Sequence, residues 1–180
     1  MNTVTNNTLS SHIISHYFGS LSPKVIFYLP TPPVIPPDWR ESETDAVKQL
    51  IDANGNHWRK ITVIISKLVC KKLSCWRETQ TRLLQQNSDE HLPVAIAIVS
   101  EPIERDNDIL LDPAILHIIC GKNTFSRFTI KSELLNKSLS LNKNQTILYH
   151  QQVFLSPYLD YRQFPNALIE LLRPMLHQSS

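Results

Sequence analysis

Glycine is scarce in this 180-residue chain, with 3 residues against 12 prolines. Phosphate-cradling loops place several glycines within a few positions of one another, and Gly19, Gly55 and Gly121 lie too far apart for a Walker or dinucleotide fingerprint. The common nucleotide-cofactor enzymes are thereby excluded, and no cofactor is implied. Cysteine is equally sparse. Cys70, Cys75 and Cys120 are an odd number, and no charged-then-apolar leader precedes them, so the expected state is reduced thiols in a cytoplasmic protein. Cys70 and Cys75 have His91 downstream but no second close ligand pair, which leaves no metal site to expect. No apolar run approaches the roughly 20 residues that span a bilayer, so no membrane association is expected.

Net charge is only +2 at pH 7, less basic than a dedicated DNA-binding domain. Its distribution is uneven. Arg59, Lys60, Lys67, Lys71, Lys72, Arg77 and Arg82 are opposed by Glu78 alone, whereas Glu101, Glu104, Asp106, Asp108 and Asp112 are opposed only by Arg105. One basic and one acidic surface follow.

Residues 1–10 are rich in Asn, Thr and Ser and read as a mobile tail, leaving 11–180 as one α/β domain. Ile13, Ile14, Tyr17 and Phe18 have the spacing of a short amphipathic helical turn. Val25–Leu29 reads as a buried strand that runs into Pro30, Pro32, Pro33, Pro36 and Pro37, a stretch that can only be a stiff extended loop. A helix is expected from about Ser42, interrupted at Asn54 and Gly55. A stronger one follows from Asn56, with Trp58, Ile61, Ile65, Leu68, Val69 and Trp76 on one face and Lys60, Lys67 and Lys71 on the other. A short helix over 78–86 comes next.

The continuous apolar runs Val94–Val99 and Leu116–Cys120 read as strands covered on both faces. The second meets Gly121 and a helix expected over 123–135. A last strand over 151–155, with an edge segment at 147–149, leads through Ser156 and Pro157 to a helix over 165–176 that has proline in its first turn. Strands alternating with helices imply a three-layer α/β/α architecture around a mostly parallel sheet of about four strands, with helices on both faces. Ligands of such sheets bind at the carboxyl ends of the strands. That rule directs attention to the loops over 30–39, 100–112, 121–123 and 156–162.

Two polar constellations stand at those ends. The loop Tyr158, Asp160, Tyr161, Arg162 combines two flat phenols, a carboxylate and a guanidinium fork able to meet phosphate or a base edge. Its alternative role is structural, with Asp160 capping the final helix and pairing with Arg162. Asn56, His57, Arg59 and Lys60 open a helix whose free backbone donors favour anions, Asn56 serving alternatively as the N-cap. Lys122 follows the strand-ending Gly121. Asp38 and Trp39 close the proline loop, Asp38 as a general base or a solvated cap residue, Trp39 as a stacking surface. Cys120 has the position of an activated thiol or of a buried strand-end cysteine. His117 reads as a core residue.

The order of these segments resembles the uracil-DNA glycosylase superfamily. The likeness rests on the first strand with its Pro loop, Phe27 to Pro33, on the helix start Asn56 to Lys60, on the strand-Gly-Lys unit Ile118 to Lys122 with Phe125, and on the Ser-Pro loop Phe154 to Pro157. The resemblance implies an α/β fold with nucleic acid at the strand ends. The family's polar residue in the first loop and its histidine in the last are replaced here by Leu29 to Ile35 and by Ser156 to Leu159, so hydrolysis is not implied. Gly55 to Lys60 and Ser156 to Pro165 also resemble an uncharacterised family without assigned activity.

The leading expectation is a protein that binds a nucleotide, base or nucleic-acid segment, with Arg59, Lys60, Lys122 and Arg162 on phosphate and Tyr158, Tyr161 or Trp39 on a base. A second is a protein-interaction module using the proline loop 30–39 and the acidic loop 101–112. A third is a hydrolase built on Asp38, His57 and Asp160. No oligomeric state is implied.

Overall fold

The computed structural model describes residues 14–86, 88–103 and 112–178. The tail over 1–10 and the acidic residues Glu104, Asp106 and Asp108 lie outside them. One sheet organises the described residues, formed by β1 (Ile14–Gly19), β2 (Val25–Leu29), β3 (Val94–Val99), β4 (Leu116–Cys120), β5 (Lys137–Asn142), β6 (Gln145–His150) and β7 (Val153–Ser156). The strand order is β1-β3-β2-β4-β7-β6-β5.

The α/β class holds, but the sheet has seven strands rather than about four, and it is mixed rather than mostly parallel. β3, β2, β4 and β7 form a contiguous parallel centre, flanked by the antiparallel pairs of β1 with β3, β6 with β7 and β5 with β6. The central strands are the four expected from sequence, because each is apolar on both faces. The flanking strands are half-polar and carry weaker signals.

β1 replaces the helical turn expected at 13–18. Its register shifts between Ile14 and His16, so that Ile14 and Tyr17 pack on one face of the sheet and Phe18 on the other. That bulge makes a strand imitate helical spacing. Gly19 ends the strand at φ +93, where a Cβ would sit 2.4 Å from the Val94 carbonyl oxygen.

One face of the sheet presents Val25, Phe27, Leu29, Val94, Ile96, Ile98, Ile118 and Phe154 to a helical layer. That layer comprises α1 (Ala46–Asn54), α2 (Asn56–Val69), α3 (Trp76–Thr81) and, near the C-terminus, α5 (Asn166–Gln178). α2 is its centre, in contact with α1, α3 and α5. It buries Trp58, Ile61, Ile64, Ile65 and Leu68 as well as Thr62 and Ser66, whose hydroxyls donate to the Trp58 and Thr62 carbonyls. Gly55, at φ +68, separates α1 from α2 as the chain pattern requires.

The opposite face presents Ile26, Tyr28, Ala95, Ala97, Val99 and Ile119. Among the described residues no second helical layer covers it. The helix expected over 123–135 is reduced to α4 (Lys122–Phe125) and a 3-10 turn at Ser132–Leu134; Phe125 at the end of α4, with Phe128 and Ile130 from the irregular chain after it, packs in the cluster that holds the alanines of β3. α1 starts at Ala46 rather than Ser42, and its N-cap Asp45 makes no side-chain cap bond. α3 occupies Trp76–Thr81 rather than 78–86, and Trp76 opens it instead of extending the apolar face of α2, which ends at Val69. Among the described residues no helix is long and apolar enough to cross a membrane.

A cationic cleft at the strand ends

β4 ends at Cys120, which pairs in register with Ser156 of β7. Gly121 then turns the chain into α4, its N–H donating to the Ser156 carbonyl at 2.9 Å. Its φ of +86 suits glycine, and a Cβ there would approach the Tyr158 side chain to 3.2 Å. The glycine therefore lets Tyr158 lie against the turn. Beside it the proline loop is held twice. Arg127 donates to the Pro30 carbonyl at 2.6 Å and to that of Val99, while Asn54 accepts from Val34 N at 2.7 Å and donates to Val34 O at 2.8 Å.

These loops enclose a cleft of about 1150 Å³ at the carboxyl ends of β2, β4 and β7. Its lining includes Pro30, Thr31, His57, Gly121, Lys122, Asn123, Ser156, Pro157, Tyr158, Arg162 and Gln163, with Lys143, Asn144 and Thr146 from the β5–β6 hairpin. Among the described residues three cations, Lys122, Lys143 and Arg162, line it and no carboxylate does. Asn123, Asn144 and Gln163 supply amides that can both donate and accept.

His57, from the first turn of α2, stacks on Tyr158 with ring centroids 5.7 Å apart, its Nε2 lying 2.7 Å from the Tyr158 hydroxyl. Burial, then the Lys60 cation, pulls the imidazole below its ordinary value. Burial chiefly, with Cys120 and Asp160 adding, pushes the phenol up to about 12. At pH 7 both groups are neutral and form an uncharged flat surface at the cleft wall. Just outside, Lys60 donates to Asp160 at 2.5 Å. That bond, followed by the Arg162 backbone N–H at 3.0 Å, holds the carboxyl below the usual carboxylate range. Asp160 thus pairs with Lys60 rather than with the Arg162 side chain.

Of the residues singled out from sequence, His57, Lys122, Tyr158 and Arg162 line the cleft, and Lys60, Asp160 and Tyr161 adjoin it. Asn56 and Arg59 do not line it. Arg59 folds back on Asn56 Oδ1 through Nε at 3.0 Å and Nη2 at 2.7 Å. Gly55, not Asn56, is the N-cap of α2.

Asp38 is exposed at φ 58 and stands outside the lining. Trp39 packs edge-on against Phe18 and donates to the Ala46 carbonyl at 2.9 Å, so it secures the start of α1 rather than offering a free stacking face. Asp38, His57 and Asp160 are therefore not assembled in one pocket. The Cys120 thiol is buried, and burial pushes it up to about 12, which leaves no thiolate at neutral pH.

Sequence reasoning missed Lys143, Asn144 and Thr146 because the hairpin that carries them was not expected. Its signals are the Ser138-Leu139-Ser140-Leu141 alternation and the Asn142-Lys143-Asn144 turn. Among the described residues no group of three or more His, Cys, Asp or Glu side chains could hold a metal ion.

No curated protein and no solved structure matches the chain, and no glycosylase family is among the matches. Residues 16–177 match the model of a family of unknown function, DUF6942, and that span contains every strand-end loop that lines the cleft. The chain belongs to the DUF6942 family.

Proposed function

We propose that the cleft binds a nucleotide or a nucleic-acid segment, with Lys122, Lys143 and Arg162 meeting phosphates and the His57–Tyr158 surface meeting a base. The observation that carries this reading is a cleft of about 1150 Å³ that, among the described residues, is lined by three cations and no carboxylate. Such a lining attracts polyanions, and the neutral stacked pair beside it offers the π face that bases accept without sequence preference. Support comes also from the glycosylase-like segments. Pro30, His57, Gly121 with Lys122, and Ser156 with Pro157 come from all four of them and line this one cleft. Hydrolysis has no such support, because Asp38 stands outside the lining and Asp160 is committed to Lys60.

Fluorescence anisotropy with a labelled tetrathymidylate tests the reading. With three phosphate contacts on a single strand, raising salt fourfold weakens binding by about 20-fold. Replacing Lys122, Lys143 and Arg162 with alanine together weakens binding at low salt and flattens the salt dependence. Retention of no oligonucleotide even at low ionic strength refutes the assignment.

A further inference from the structure

Away from the cleft, the edge of α2 that faces the loop 158–166 carries a repeating pair of ring and cation. Lys60 Nζ lies 5.7 Å from the centroid of Tyr161, the neighbour of cleft-lining Arg162, and that ring is 41% exposed. Lys67, two helical turns further and about 10 Å along the axis, lies 5.1 Å from the Trp76 ring, which also has the Arg77 guanidinium at 4.5 Å. Lys67 is held to Asn166 at 2.9 Å, as Lys60 is to Asp160 at 2.5 Å. Two such groups thus stand along one edge of α2, Lys60 with Asp160 and Tyr161 beside the cleft and Lys67 with Asn166 and Trp76 beyond it. The line ends in a second groove of about 340 Å³, lined by Lys67, Leu73, Trp76, Asn166 and Ile169 among others. One carboxylate, Glu170, also lines it; Lys71, Lys72 and Arg77, next in sequence to lining Leu73 and Trp76, are exposed and outnumber the exposed Glu78 beside them.

We propose that single-stranded nucleic acid leaves the cleft along α2, stacking bases on Tyr161 and Trp76 while Lys67, Arg77, Lys71 and Lys72 meet its phosphates. The inference rests on the cleft reading above and makes the ligand a strand of several nucleotides rather than a mononucleotide. Alternation of ring and cation is what a single strand presents in return, base following phosphate. An acidic peptide would use the cations and leave the rings without a role. An exposed cation–π contact is weaker than a stacked base, so an arriving base displaces Lys67 or Arg77 from the Trp76 face toward the phosphate beside it. Lys60 stays on Asp160 and offsets the charge of that carboxylate beside the cleft.

The test compares a tetrathymidylate with a ten-nucleotide oligothymidylate on the full chain at low salt. The longer strand binds more tightly; Trp76→Ala weakens it about tenfold while leaving the tetrathymidylate unchanged, and Tyr161→Ala weakens the longer strand by a similar factor. Trp76→Phe keeps a ring and retains most of the length advantage, which separates loss of stacking from loss of fold. Equal affinity for the two lengths, with both alanine variants silent, overturns the track and leaves the cleft standing. Displacement of the longer strand by polyglutamate as efficiently as by unlabelled oligothymidylate overturns it in favour of an acidic peptide. Failure of both lengths to bind removes the cleft reading and the track together.

Discussion

His117 makes the stability of this protein depend on pH in a calculable way. It sits inside β4, fully buried, with its Nδ1 2.9 Å from the Tyr28 hydroxyl and the two rings stacked at 5.9 Å. Burial, the largest influence on it, lowers its pKa from 6.5 to about 4. Tyr28 cannot compensate by ionising, because burial pushes its phenol far up. Between pH 6.5 and 4 the unfolded chain therefore binds a proton at this residue that the folded chain refuses. Stability is fully present above 6.5 and is lost as pH falls through that window. The shift corresponds to about 3 kcal/mol lost by pH 4. The assay is urea unfolding at several pH values, wild type beside His117→Gln. The variant starts less stable at pH 7 and loses about 3 kcal/mol less on acidification, since every other titrating group is common to both. Parallel pH profiles, or a His117 ring that titrates near 6.5 by NMR, refute the reasoning.

Two further outcomes follow from contacts around α2 and the cleft. Arg173 of α5 donates to the Lys67 and Leu68 carbonyls and to Cys70 Sγ, and from Nη2 to the Lys71 carbonyl at 3.5 Å, so one guanidinium serves the end of α2, where carbonyls lack helical partners. Arg173→Met keeps the aliphatic stem and lowers unfolding free energy by about 2 kcal/mol; an unchanged denaturation midpoint refutes this cap. Gly121→Ala forces a side chain into a positive-φ turn and against Tyr158, costing about 1 kcal/mol or more. It also weakens tetrathymidylate binding, because Tyr158 must move; a variant unaltered in both denaturation and anisotropy removes Gly121 from the account.

The parts of the fold legible in the sequence are those buried on two sides. Val25–Leu29, Val94–Val99 and Leu116–Cys120 admit almost no alternative to buried strands, and the Asn54-Gly55 break between two helices is visible as a breaker pair. The amphipathic pattern of 56–69 likewise gives α2, whose residues Val63 and Ile64, lying between its two stripes, are both buried. Legibility fails where burial is one-sided or local. The β1 bulge imitates a helix, β5 is nearly all exposed, and the segment after Gly121 has helical composition but only one short turn of helix.

The candidate site divides in the same way. Loop chemistry at strand ends is visible locally, so His57, Lys122, Tyr158 and Arg162 could be named from the chain. Their pairing could not. Whether Lys60 meets Asp160, whether His57 stacks on Tyr158, and whether Trp39 faces a ligand or the core depend on residues about 100 positions apart or on packing. Lys143 reaches the cleft only because an antiparallel hairpin extends the sheet past β7.

By itself the sequence determined the parallel centre of the sheet, the absence of a glycine-rich phosphate loop and the positions of the strand-end loops, since these follow from local burial and backbone freedom. Tertiary structure alone decided which charges are brought together in the cleft. An ion pair or a stack is set by distance in space, and the chain order carries no record of it until the strands have been laid side by side.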